Sequence, residues 1–162
     1  MTLPASINSP VFLKIITSPL ILINNKYHSK ILCAFLNKLL WENINDGELD
    51  FLENRKLCIS VQDVNINYNL SLKHKKIIAH VNTIKHDLFL QANTYDFLSL
   101  AARQEDPDTL VFQRRMTIEG DTELGLELKN FIDGLDIESN KYFPVIQSLL
   151  IKILPIYKRI AS

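Results

Sequence analysis

"MTIEGDTELGLELKNFIDGLDIE", Met116 to Glu138, decides how this chain is built. Met116 and Ile118 alternate with Thr117 and Glu119, and that period of two predicts a strand with one buried face. Gly120 supplies backbone angles that other residues avoid, so the chain can turn sharply there. Asp121 then stands where a helix N-cap belongs, and Glu123 falls in the first turn, where the helix dipole favours negative charge. Leu124, Leu128, Phe131, Ile132 and Leu135 follow at helical spacing on one face. Glu119, Asp121 and Glu123 are close enough in sequence to suggest a metal or acid–base cluster. Each, however, already has a structural task at a strand–helix junction, so they are read as punctuation.

Working back from this junction, "LCISV" (57–61) and "VNINYNL" (64–70) also alternate. Val64, Ile66, Tyr68 and Leu70 point one way, and Asn65, Asn67 and Asn69 the other. This predicts a sheet with one face in water, hence largely antiparallel. "SLKHKK" makes a turn, and "IIAHV" and "DLFLQA" supply two further strands. "NTYDFLSLAAR" reads as a helix capped by Asn93 or Thr94. "QEDPDT" ends it in a turn fixed by Pro107 and flanked by Asp106 and Asp108. The order predicts an α+β fold: one mostly antiparallel five-stranded sheet covered by helices.

The ends differ from the middle. The chain has 162 residues, of which 47% are hydrophobic, enough for one domain with a sizeable core. Its formal net charge is zero, yet residues 42–138 hold all 18 acids against 10 basic residues, a net of −8. The first 41 residues carry Lys14, Lys26, Lys30 and Lys38 with no acid. The last 24 carry Lys141, Lys152, Lys158 and Arg159, also with no acid. "VFLKIITSPLILI" (11–23) is too short to span a bilayer, and no basic start marks it as a signal peptide. It is expected to be a broken helix or hairpin covering apolar surface. "KILCAFLNKLLWENI" (30–44) predicts a second helix, with Ile31, Phe35 and Leu39 on one face and Leu32, Leu36 and Leu40 beside it. In "KYFPVIQSLLIKILPIYKRIAS" (141–162), Tyr142, Val145, Ile146, Leu149, Ile153, Ile156, Tyr157 and Ile160 form one helical stripe, and Pro155 is expected to kink or end the helix. Such a basic amphipathic helix either packs on its own domain or lies in a membrane interface.

Little catalytic chemistry is visible. There is no G-x-S-x-G elbow, Walker loop or dinucleotide fingerprint. His74, His80 and His86 recur every sixth residue, but turns intervene, so they are read as structural or surface residues rather than as a metal site. Cys33 and Cys58 match no metal or redox spacing, which suits a reduced, cytoplasmic setting. The asparagine-rich sheet face lacks the aromatics and arginines of a nucleic-acid surface. Arg114 has two placements. If the last strand begins at Phe112, Arg114 shares the apolar face with Phe112, Met116 and Ile118 and can meet an anionic or polar head group. If the strand begins later, Arg114 is solvated or paired with Asp106 or Asp108.

"INDGELDFLENRKLCISVQDV" (44–64) and "AARQEDPDTLVFQRRMTIEGDTELGLELKNFIDGLDIE" (101–138) together resemble the UbiT-type accessory factors of ubiquinone biosynthesis, a branch of the sterol carrier protein 2 (SCP2) superfamily. The resemblance covers roughly Trp41 to Glu138, and the block "DPDTLVFQRRMTIEGDTELGL" is its most specific part. It implies an apolar N-terminal helical segment (1–40), an SCP2-like lipid-binding domain (41–138) and a C-terminal amphipathic helix (139–162), with an apolar cavity between sheet and helices. It further implies a non-enzymatic factor of the oxygen-independent route that uses no cofactor and holds polyprenylated ubiquinone intermediates. Expected partners are an isoprenoid quinone or precursor lipid, hydroxylation proteins of the UbiU and UbiV kind, and the phospholipid surface of the inner membrane. Phe97, Leu110, Phe112, Met116 and Ile118 are expected to line the cavity together with Leu124, Leu128 and Phe131, while Leu149 and Ile153 form its lid. The alternative is an assembly scaffold without lipid cargo.

Overall fold

The structure, a computed structural model, describes residues 25–81, 85–136 and 142–161. The apolar run at 11–23 lies outside the described residues. The elements follow in the order α1 (Asn25–Leu39), α2 (Trp41–Asn45), a 3-10 turn (Asp50–Leu52), β1 (Leu57–Val61), β2 (Ile66–Leu72), β3 (Ile77–Ala79) and β4 (Leu88–Ala92). Then come α3 (Thr94–Ala101), α4 (Pro107–Phe112), β5 (Met116–Gly120), α5 (Thr122–Gly134) and α6 (Phe143–Ala161).

The five strands form one sheet in the order β3-β2-β1-β4-β5. Three of the four pairings are antiparallel, and β1 with β4 is parallel, so the sheet is mixed. Register lines the inner-face residues up in rows. Ala79, Leu70, Leu57 and Leu88 make one row, and Tyr68, Ile59, Leu90 and Ile118 the next. Against these rows pack Leu32, Leu36 and Leu39 of α1, Ile44 of α2, and Leu124 and Leu128 of α5. Burying each such side chain contributes about 1.5–3 kcal/mol, so this layer dominates stability.

Several expectations are corrected in detail. β2 starts at Ile66, and Val64 and Asn65 belong to the preceding turn, where Asn65 has φ +53°. The opposite sheet face is not simply wet: Asn67 is exposed, but Cys58, Ser60 and Ser71 are buried. The predicted second helix is broken at Leu40 into α1 and α2, and its Ile31 and Phe35 face outward while Leu32, Leu36 and Leu39 face the sheet. "DPDT" opens the short helix α4 rather than making a simple turn. Pro107 is the first helical residue, where its missing N–H costs nothing, and Asp106 accepts from Thr109 N at 2.8 Å and Thr109 Oγ1 at 2.7 Å.

The β5–α5 junction is built as read. Gly120 has φ +116°. Asp121 caps α5, accepting from Glu123 N at 3.0 Å and Leu124 N at 3.1 Å, and Arg55 also donates to it. The bond from the Leu124 amide, then the Arg55 guanidinium, hold the Asp121 carboxyl below its ordinary value. A depressed folded-state value stabilises the fold above the unfolded-state pKa of about 4, and the contribution is lost as pH falls through the folded value. Asp121→Asn is therefore expected to be less stable than the parent at neutral pH. It should also lose less stability on acidification below about pH 4, which urea titrations at several pH values check.

Candidate lipid-binding site

Seven of the ten residues expected to line or close a cavity gather between sheet and helices. Leu110 and Met116 are buried with Ala92, and Phe97, Leu100 and Ile118 pack around them. Leu124 and Leu128 belong to the larger cluster, and Phe131 and Ile118 pack on it. Ile118 touches both clusters, so the two form one continuous apolar interior along the inner face. The Phe51 and Phe131 rings meet at 6.3 Å near its α5 side.

The other three, Phe112, Leu149 and Ile153, are elsewhere, and so is Arg114, the residue offered for the head group. Phe112 ends α4 with 90% of its surface exposed, because β5 begins only at Met116. Arg114 lies in the turn between them, exposed and at φ +59°, and does not share the strand's apolar face. Leu149 and Ile153 are exposed on the outer side of α6, and the residue of that turn that is buried is Leu154, 1% exposed. Gly120 and the capped helix place α5 over the sheet, so the apolar side chains of α5 follow from that one turn.

Arg115, the neighbour of Arg114, is the organising cation. Its Nε donates to Asp96 Oδ1 at 2.9 Å and its Nη1 to Glu105 at 2.7 and 2.9 Å, with Tyr95 5.9 Å from the guanidinium. Those bonds offset the burial that works against its charge, and they raise its pKa. The pair "RR" at 114–115 carries no signal for which of the two turns inward.

α6 is held along one side only. Phe143 and Ile146 pack on the main core, Gln147 Nε2 donates to the Ala102 carbonyl at 3.2 Å, and Tyr157 Oη donates to Asp63 at 2.7 Å. Burial, then that bond to a carboxylate, push the Tyr157 hydroxyl up to about 12. Asp63 also accepts from Thr94 N and Oγ1 at 2.9 Å, and it thereby does the capping expected of Asn93 or Thr94. The helix continues through Pro155 to Ala161. Ile151 and Pro155 both lie on the exposed side of the helix, where a carbonyl left without its N–H partner costs least. The expected single stripe is therefore divided: its Ile146 and Tyr157 face in beside Leu154, while its Val145, Leu149, Ile153 and Ile156 face out. Lys152, Lys158 and Arg159 are exposed on the same helix.

The histidines do not converge. His74 is exposed, His80 Nε2 lies 2.5 Å from Ser71 Oγ, and His86 stacks on Phe89 at 6.0 Å. Cys33 and Cys58 are buried free thiols whose pKa values burial raises. A cleft of about 210 Å³ lies between the α3–α4 connection and the end of α5, lined by Leu100, Arg103, Glu105, Pro107, Ile132 and Asp133 among others. None of the expected cavity residues lines it. Arg103 crosses it to cap α5, donating to the carbonyls of Ile132, Asp133 and Leu135. Among the described residues no helix is long and apolar enough to cross a membrane.

Residues 36–133, from the last turn of α1 to the end of α5, match the model of the SCP-2 sterol transfer family. The chain belongs to that family. The ubiquinone biosynthesis accessory factor UbiT of Escherichia coli (strain K12) is 46% identical over 95 residues, 59% of this chain and 54% of that protein. The factor of the same name from Escherichia coli O157:H7 matches to the same extent. The matched segment thus spans about half the length of these curated relatives. Among solved structures, a protein described as "UbiJ-SCP2 Ubiquinone synthesis protein" superposes with a TM-score of 0.56 at 14% identity, over 67% of this chain and 95% of that one. That likeness is one of fold, and it supports the five-stranded SCP2-like architecture.

Proposed function

We propose that this protein is a non-enzymatic accessory factor that holds a polyprenylated ubiquinone intermediate between its sheet and helices, in an oxygen-independent route to ubiquinone. The observation that carries this is the 46% identity to a ubiquinone biosynthesis accessory factor within a chain whose family fold is that of a sterol transfer domain. The physical logic is that each buried CH₂ of a prenyl tail gains about 0.8 kcal/mol, so a few isoprene units outweigh the cost of parting α5 or α6 from the sheet. The ring is then held at one end of that apolar interior, from which hydroxylation proteins of the UbiU and UbiV kind receive it.

The outer stripe of α6 supports contact with the inner-membrane surface, from the cytoplasmic side, during loading. Val145, Leu149 and Ile156 are each more than half exposed, and Trp41 is 62% exposed. The acid-free, basic ends of the chain add about 1 kcal/mol per Lys or Arg beside anionic lipid, a bias smaller than that of the apolar side chains. The same stripe also supports a second reading, an assembly scaffold that offers it to partner proteins. Native mass spectrometry of gently purified protein, followed by solvent extraction, separates the two. Co-purified isoprenoid quinone or precursor is the expected result. Phospholipid alone would reduce the role to general lipid binding. A protein still empty after incubation with quinone-bearing vesicles would leave the scaffold.

A further inference from the structure

α1 carries a polar group that its packing leaves unanswered. His28 is 5% exposed, and its Nε2 is buried without a hydrogen-bond partner. At i, i+4 and i+11, His28, Leu32 and Leu39 share one side of the helix, and the two leucines pack in the main core. The imidazole therefore faces the apolar interior, at the N-terminal end of its α1 wall.

Other polar residues on the buried side of α1 are answered. Asn37 bonds the Ile77 N–H and carbonyl and the Cys33 carbonyl, each at 2.8 Å, and Ser29 is also partnered. Among the described residues, three other buried side-chain atoms lack partners: Arg55 Nε, Asn69 Oδ1 and His86 Nδ1. Arg55 is satisfied through its Nη2 on Asp121. Asn69 lies on the sheet face opposite the helices, and His86 stacks on Phe89 of that same face. His28 is thus the orphan on the side of α1 that packs toward the sheet.

We propose that His28 Nε2 is the polar contact for the head of the bound lipid, bonding a hydroxyl on its ring. The assignment rests on the lipid-holding role proposed above. A hydroxyl both donates and accepts, so it matches either tautomer of the imidazole. Leu32, Leu36 and Leu39 continue the apolar wall along α1, which leaves the tail to run beside them. A buried group left unpaired carries a desolvation penalty that a bonded partner removes. A lipid with the hydroxyl should therefore bind about tenfold more tightly than the same lipid without it.

4-Decylphenol and decylbenzene share ring and tail and differ only in that hydroxyl. Dissociation constants for the full chain come from displacement of a fluorescent fatty acid. The parent is expected to prefer the phenol by about tenfold, and His28→Leu to lose that preference while keeping its affinity for decylbenzene. His28→Gln, which retains a donor and an acceptor, is expected to keep part of the preference. Equal affinities in the parent, a test that needs no variant, would overturn the assignment and leave lipid holding intact. So would a preference unchanged in His28→Leu. A parent that binds neither compound would overturn both.

Discussion

A Met116→Asp protein is expected not to fold. Met116 is 4% exposed, against Leu110 and Ala92 at 0%, and β5 pairs it directly with Ala92 of β4. The substitution removes a thioether side chain, which in a packed core costs about 2–5 kcal/mol. It also places a carboxyl among the apolar atoms of Ala92 and Leu110, which without a hydrogen bond costs roughly 2–7 kcal/mol more even before ionisation. The total is comparable to the whole stability of an ordinary domain, about 5–15 kcal/mol. Met116→Leu, close in volume and equally apolar, is expected to lose less than about 1.5 kcal/mol. Circular dichroism and urea unfolding of the pair test this. A folded Met116→Asp protein that had merely lost lipid would instead place this side chain on an open cavity.

Gly120→Ala is the second large effect. The residue sits at φ +116°, and a Cβ there would run into the Asp87 backbone carbonyl. That carbonyl accepts from Asp121 N at 2.8 Å, so it cannot retreat without loosening the helix cap. Backbone strain and displaced strand together are expected to cost about 3 kcal/mol. Gly134→Ala is the control: it ends α5 at ordinary φ, with nothing within 4 Å of the added carbon. It is expected to be neutral or to gain up to about 1 kcal/mol. Equal denaturation midpoints for the two variants would contradict this account of the turn.

These positions also show what could be seen in the chain before its structure. Alternation located β1, β2 and β5, short apolar runs after a turn located β3 and β4, and the Gly120–Asp121 turn located α5. The parallel pairing of β1 with β4 was not legible, since the alternating residues of Leu88–Ala92 look the same whichever direction the neighbour runs. α4 was hidden because Pro107 between two aspartates opens a helix as readily as it makes a turn. That helix moved Phe112 and Arg114 off the strand and brought Arg115 to Asp96 instead. In α6 the apolar residues cover more than half the circumference, so spacing alone left the buried stripe undetermined, and Leu154 took the place given to Leu149 and Ile153. His28 and Asp63 were missed because a lone histidine and a turn aspartate carry no periodic signal. Only packing shows that one is unpartnered and the other joins three elements.

The place of β1 at the centre of the sheet bears on how the chain acquires its shape. β1 and β2 are joined by a four-residue turn, so their hairpin closes over a short loop on a timescale of microseconds. The other edge of β1 must wait for β4, whose Leu88 pairs with Leu57 only after everything between them has been drawn into place. β5 can join only after that, beyond two more helices. Closure entropy grows with each of these separations and is met before the distant contacts reward it. Until β4 arrives, the central strand therefore presents an unpaired backbone edge. An edge of that kind is a template for pairing with another chain, so a half-finished sheet is open to aggregation.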